Sequence, residues 1–99
     1  MGLDIQVKKI RRKEEIINQT PAELFNSNKS TYCNEWRNLW SWLSEIKITK
    51  KENDKAVVYR IITKKDKPTI GTTWQWESVD KLYDTLDEDK FIYIVKFDW

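Results

Sequence analysis

The stretch FIYIVKF, residues 91–97, is apolar at every position except Lys96. A β-strand turns successive side chains to opposite faces, so a run without alternation needs cover on both. The pattern predicts an interior strand with neighbours at its sides and packed elements above and below. A chain of 99 residues suits one domain with a thin core. With aromatics at 13%, the composition is that of a folded chain and far from a disordered one. Two glycines and two prolines argue for regular elements joined by short polar turns.

Other elements follow from periodicity. Leu3, Ile5 and Val7 alternate with Asp4, Gln6 and Lys8, which predicts a strand with one wet face. RRKEEIINQT reads as a loop or a short helix. In TPAELF, Thr20 is placed as N-cap, Pro21 at the first helical position and Glu23 as the partner closing a capping box. Trp36, Leu39, Trp40, Leu43 and Ile46 fall on one helical face, with Asn34 as cap, so a helix is expected over residues 34–46. Residues 46–65 read as a hairpin turning at Asn53 and Asp54, with its second arm from Val57 to Thr63. PTIGTTWQWE suggests another strand with Trp74 and Trp76 on one face. Ser78 is expected to cap a helix over residues 78–86, carrying Val79, Leu82, Tyr83 and Leu86 inward. The expected fold class is α+β: one small domain over residues 1–99, with a mostly antiparallel sheet of about three to five strands packed by those two helices.

Several chemistries are excluded by composition. Without histidine there is no His-based general base, and with one cysteine there is neither an internal disulfide nor a one-chain structural zinc site. Gly2 and Gly71 cannot make a phosphate-binding glycine loop. Asp87, Glu88 and Asp89 lack the spacing and turn glycine of a calcium loop and read as a solvated turn. Cys33 reads as a partly buried thiol, although a position before a helix N-terminus would favour its thiolate. No stretch is long and apolar enough to span a membrane, and Gly2 lacks the Ser/Thr of a myristoylation signal. The expectation is a non-enzymatic protein without cofactor or metal, in a reducing cytoplasm. A carboxylate enzyme using Glu77 or Asp84 is the minor alternative.

The surplus indoles and uneven charge point to recognition. Six tryptophans are many for so small an interior. Trp36 and Trp40 are expected in the core and Trp99 docked. Trp42 lies off the expected helical face, which makes it the first choice for an exposed or interface ring. Trp74 and Trp76, neighbours on one expected sheet face, read first as core packing and alternatively as a stacking platform for bases. Net charge is only +2, but residues 1–13 and 47–76 are basic while 14–46 and 77–99 are acidic. Arg11 and Arg12, with Lys8, Lys50, Lys51, Lys64, Lys65 and Lys67, are the residues from which a phosphate-binding surface would be built. Arg37 joins the candidate set because Trp and Arg anchor protein interfaces.

MGLDIQVKKI, EWRNLWSWL and LDEDKFIYIVKFDW resemble segments of a group of small phage and prophage proteins. Those open on MGLD and an alternating strand, carry a tryptophan–arginine helix, and close on an aromatic strand ending in Trp. The matched positions are Met1 to Asp4, Trp36 with Arg37, Trp42, Phe91, Tyr93 and Trp99, about half the chain. The middle is shorter here and rich in lysine. The resemblance supplies no catalytic residues; it implies an origin in a virus or mobile element. Phage accessory proteins of this size often inhibit host enzymes or defence components, or sequester nucleotide signals. The expected function is therefore a phage-derived binding protein that blocks a host protein. A nucleotide or single-stranded nucleic-acid binder is the alternative, and a homodimer is an open option.

Overall fold

In the computed structural model, residues 2–16, 18–68 and 74–99 are described, Glu15 by its backbone only. They run β1 (Asp4–Arg11), a 3-10 turn (Glu14–Ile16), α1 (Pro21–Phe25), β2 (Thr31–Arg37), α2 (Trp40–Glu45), α3 (Lys50–Lys55), β3 (Val57–Ile62), a second 3-10 turn (Lys64–Asp66), α4 (Trp74–Asp84) and β4 (Phe91–Asp98). The four strands form one sheet in the order β2-β1-β4-β3, with each neighbouring pair antiparallel. The α+β class, the single small domain and the antiparallel sheet are as the sequence predicts.

β4 occupies the interior position its apolar run demands. Its Tyr93, Val95 and Phe97 enter a main core with Leu3, Ile5 and Val7 of the first strand segment, together with residues of α2, α4 and β3. Ile92 and Ile94 enter a second core on the other face, under Ile10, Ile16, Leu24 and Phe25. The sheet is thus sandwiched, and β1 serves both sides through residues of opposite parity.

Helix α1 closes the second core and begins where its capping signal places it. Thr20 Oγ1 accepts from the Glu23 N–H at 3.2 Å, and Glu23 Oε1 accepts from the Thr20 N–H at 3.1 Å. Five residues cannot hold a helix unaided, so tertiary contacts must fix it. Lys8 supplies one: its Nζ donates to Phe25 O at 3.2 Å and lies 4.5 Å from the Phe25 ring centroid and 4.6 Å from that of Tyr32.

The segment 34–46 departs from expectation. It is not one helix: residues 31–37 are the edge strand β2, and the helix spans only Trp40–Glu45. The break falls at Asn38, in the left-handed region at φ 58, a conformation asparagine tolerates well. Asn38 also holds the chain start. Its N–H donates to Leu3 O at 2.7 Å, and its Oδ1 accepts from the Leu3 N–H at 3.0 Å. A Cβ on Gly2 would stand 2.6 Å from that oxygen, so the glycine of MGLD has a steric reason. With the helix starting after the break, its inward face is Leu39, Trp42, Leu43 and Ile46. Trp42 is therefore 1% exposed and Trp40 45% exposed, the reverse of the expected assignment. Trp36 is buried as expected, but from a strand.

Two further expectations give way. Asn53 and Asp54 do not turn a hairpin; they lie inside α3, whose Thr49 and Glu52 form a second capping box. Ala56, at φ 55, ends that helix, and β3 then pairs with β4. Trp74 and Trp76 are not on a strand but on α4, which spans Trp74–Asp84 and includes Ser78 in its interior. Of that expected strand, residues 69–73 lie outside the described residues. Trp99 is half-buried against the main core, with its N–H donating to Ala56 O at 2.9 Å.

Trp42→Ala should lower unfolding free energy by about 3–5 kcal/mol, the cost of emptying a core aromatic site. Trp40→Ala should change it by less than about 1 kcal/mol. Urea titration followed by far-ultraviolet circular dichroism compares them; equal losses would contradict this placement of the rings.

The Glu52–Arg60 pair gives a pH prediction. Arg60 Nη2 donates to Glu52 Oε1 at 2.8 Å and to Lys47 O at 2.6 Å. Hydrogen bonding from Arg60 holds the Glu52 carboxyl down at about 2, against partial burial, which raises it. A depressed folded-state value means stability that is present above about 4.5 and lost as pH falls toward 2. Glu52→Gln keeps an N3 acceptor for the capping box but removes the charge. The wild type should be more stable than this variant at pH 7 by on the order of 1 kcal/mol after solvent screening, and so melt higher. The difference should shrink as pH falls from about 4.5 toward 2 and disappear below it, as calorimetry at a series of pH values will show.

Candidate functional site

α4 turns its two tryptophans to different sides, because residues two apart on a helix are about 200° apart. Trp76, Val79 and Tyr83 face the main core, while Trp74 is 76% exposed. The paired-indole platform is therefore absent: Trp76 is a core ring, and Trp74 stands at the surface without it. Trp42, the ring expected at an interface, is instead a core ring only 1% exposed.

Trp74 instead shares a groove with Arg37. The two flank a groove of about 390 Å³ between the edge strand β2 and α4, with Asn34, Glu35, Trp36, Gln75 and Ser78. β2 ends the sheet on this side, and side chains close two of its main-chain groups. Asn34 Oδ1 accepts from the Glu35 N–H at 2.8 Å, and Gln75 Nε2 donates to Arg37 O at 2.9 Å. Two of the edge strand's main-chain groups are thus already taken by side chains at this groove. The Arg37 side chain is 78% exposed, and its Nε lies 3.7 Å from Asp4 Oδ1. An exposed pair at that distance adds little stability and leaves the guanidinium able to change partner.

The remaining predicted cations have various neighbours. Arg12 Nε donates to Glu88 O at 2.9 Å, and the Lys64 N–H donates to Glu88 Oε1 at 2.7 Å. Both therefore meet at the acidic 87–89 turn, whose charges oppose theirs. Lys65 lies exposed on the second 3-10 turn, and Lys67 reaches Asp84 at 3.0 Å and Asp80 at 3.7 Å. Hydrogen bonding to Asp84 raises the Lys67 pKa. The Arg11 guanidinium carbon lies 5.8 Å from the Phe91 ring. Among the described residues, only Lys67 of these cations is held in an ion pair with an acidic side chain.

A second cavity, of about 330 Å³, lies between α2, β3 and the second 3-10 turn. Trp42, Tyr83, Ile62 and Val95 line its depth, with Arg60 and Asp66 among its polar residues. Burial pushes the Tyr83 hydroxyl up to about 12, the Trp42 indole hydrogen bond works the other way, and Asp66 adds to the rise. Tyr83 is thus a neutral phenol at physiological pH. Cys33 sits on β2 rather than before a helix, and burial pushes its thiol up, with Lys9 opposing. The fold thus contains a partly buried thiol, as the sequence predicts. Among the described residues no three His, Cys, Asp or Glu side chains are grouped to hold a metal ion, and no helix is long and apolar enough to cross a membrane.

Comparison with protein-family models, with curated proteins and with solved structures finds no match to this chain.

Replacing Trp74 by Phe should shift the tryptophan emission maximum to shorter wavelength and remove most of the iodide-quenchable signal, because Trp74 is the most exposed described indole. A Stern–Volmer titration against the wild type checks this. Unchanged quenching would mean that the ring is covered in solution.

Proposed function

We propose that the chain is a non-enzymatic binding protein that docks on another protein through the groove of Trp74 and Arg37. The observation that carries this reading is an indole three-quarters exposed and an exposed guanidinium lining one groove. Large apolar rings are costly to leave in water, and Trp and Arg are the side chains that concentrate binding energy at protein interfaces. The complementary surface is a protein patch with an apolar knob for the indole and a carboxylate that displaces Asp4 from Arg37. The closed main-chain groups of β2 favour such side-chain docking over addition of a partner strand. Likeness of the chain's ends and of its Trp36–Arg37 segment to phage proteins favours a bacterial host protein as the partner, with inhibition of a host or defence component as the effect. The host cell cytoplasm is where that partner would be met.

The test is differential. Tagged wild type, Trp74→Ala, Arg37→Ala and the control Trp40→Ala are incubated with bacterial lysate, and any retained protein is purified for affinity measurement. Wild type and the control should hold the same partner. Trp74→Ala and Arg37→Ala should each weaken it by about 2 kcal/mol or more, a factor of at least about 30, with unchanged melting temperature. A partner held equally by all four proteins, or no specific partner at all, would overturn the reading.

A further inference from the structure

A different concavity, on the opposite sheet face from the main core, carries the charge pattern that the sequence blocks lose. It measures about 410 Å³ and lies between the end of β1, the first 3-10 turn and the turn after α1. Its floor is apolar, from Ile10 and Ile16, and Arg11, Lys13 and Lys29 stand around it with the polar side chains of Gln19, Ser27 and Asn28. No carboxylate lines it among the described residues. Four cations elsewhere among the described residues are held in ion pairs: Arg60 with Glu52, Lys67 with Asp80 and Asp84, Lys96 with Asp98, Arg37 with Asp4. Among the described residues neither Lys13 nor Lys29 makes an ion pair.

The turn that brings Lys29 here is built in advance. Ser30 Oγ donates to Phe25 O at 2.9 Å and to Ser27 O at 2.8 Å, and the Lys29 N–H donates to Ser27 Oγ at 3.2 Å. α1 in turn is fixed by Lys8. The backbone at Lys29 is therefore ordered before any ligand arrives, which lowers the entropic cost of binding.

We infer that this cleft binds a phosphorylated small molecule of nucleotide size. Lys13 and Lys29 meet the phosphate oxygens as point charges, with Arg11 at the rim. The Gln19 and Asn28 amides meet a polar ring or sugar, and the isoleucines take its apolar face. The volume lies within the range of small-ligand sites. A long polyanion is a worse fit, because the acidic 87–89 turn beside Arg12 interrupts any basic track leading away. This site uses none of the residues of the protein-docking groove, so either can fail without the other.

Nitrogen-15 correlation spectra of the intact chain, titrated with ADP, inorganic phosphate and a 15-nucleotide oligothymidine, test the inference. ADP should shift the amides of Gln19, Ser27, Asn28 and Lys29, and inorganic phosphate should compete with it. The double variant Lys13→Ala/Lys29→Ala, with its other resonances in place, should bind ADP at least 10-fold more weakly. Absence of shifts at about 10 mM ADP would overturn the site. So would an undiminished response in the double variant. The site is equally overturned if the oligonucleotide binds more tightly than ADP, with a steep salt dependence and shifts spread over Lys50, Lys51, Lys64 and Lys65.

Discussion

Trp42 is the contact on which the main-core side of the sheet depends. Its ring meets Trp36 of β2 at 5.4 Å and 79°, Phe97 of β4 at 5.2 Å and 86°, and Tyr83 of α4 at 6.1 Å and 62°. These are edge-to-face contacts, each worth about 0.5–1.5 kcal/mol beyond the area they bury. One side chain on a six-residue helix thus touches an edge strand, an interior strand and the longest described helix. The short helix that carries it has no side-chain hydrogen bond at its N-cap Leu39, so its place is set by burial rather than by local propensity.

The same ring explains which elements are legible in the sequence and which are not. Where a signal is local and short, it is legible. Thr20 with Glu23, the alternation from Leu3 to Val7 and the doubly apolar FIYIVKF each determine their element without reference to distant residues. The second capping box, Thr49 with Glu52, is equally local, but the turn signal of Asn53 and Asp54 competes with it and points to the wrong element. The segment 34–46 misleads for a different reason. Trp36, Leu39, Trp40 and Leu43 fit a helical wheel, but Asn38 interrupts the backbone in the left-handed region, so Trp36 belongs to another element. A wheel centred on Leu39, Trp42, Leu43 and Ile46 exists in the same letters, and only the position of the break decides between them. Trp74 and Trp76 pose the complementary ambiguity, since a spacing of two suits a strand face and splits a helix. Their helix is selected by where α4 can bury Trp76, Val79 and Tyr83, which is tertiary information.

Charge shows the same division between local and distant. The blocks along the chain are real, yet folding gives single cations acidic partners. Lys67 reaches Asp80 and Asp84 of α4, and Arg60 turns to Glu52 within its own block. A basic run therefore says little about surface potential until its neighbours are known. The cations that remain near a concavity, Lys13 and Lys29, stand 16 positions apart in the numbering and are joined only through the 3-10 turn and α1. Of the candidate residues, Arg37 and Trp74 come together across β2 and α4, a pairing no sequence spacing could announce.

The plugs on β2 have a consequence for how the molecule can be used. Asn34 and Gln75 occupy main-chain groups that a free edge would offer to a second copy, and open edges of that kind template fibrous self-association. Two amide side chains thereby blunt part of this edge against strand-to-strand pairing while an oily ring, Trp74, stays on display.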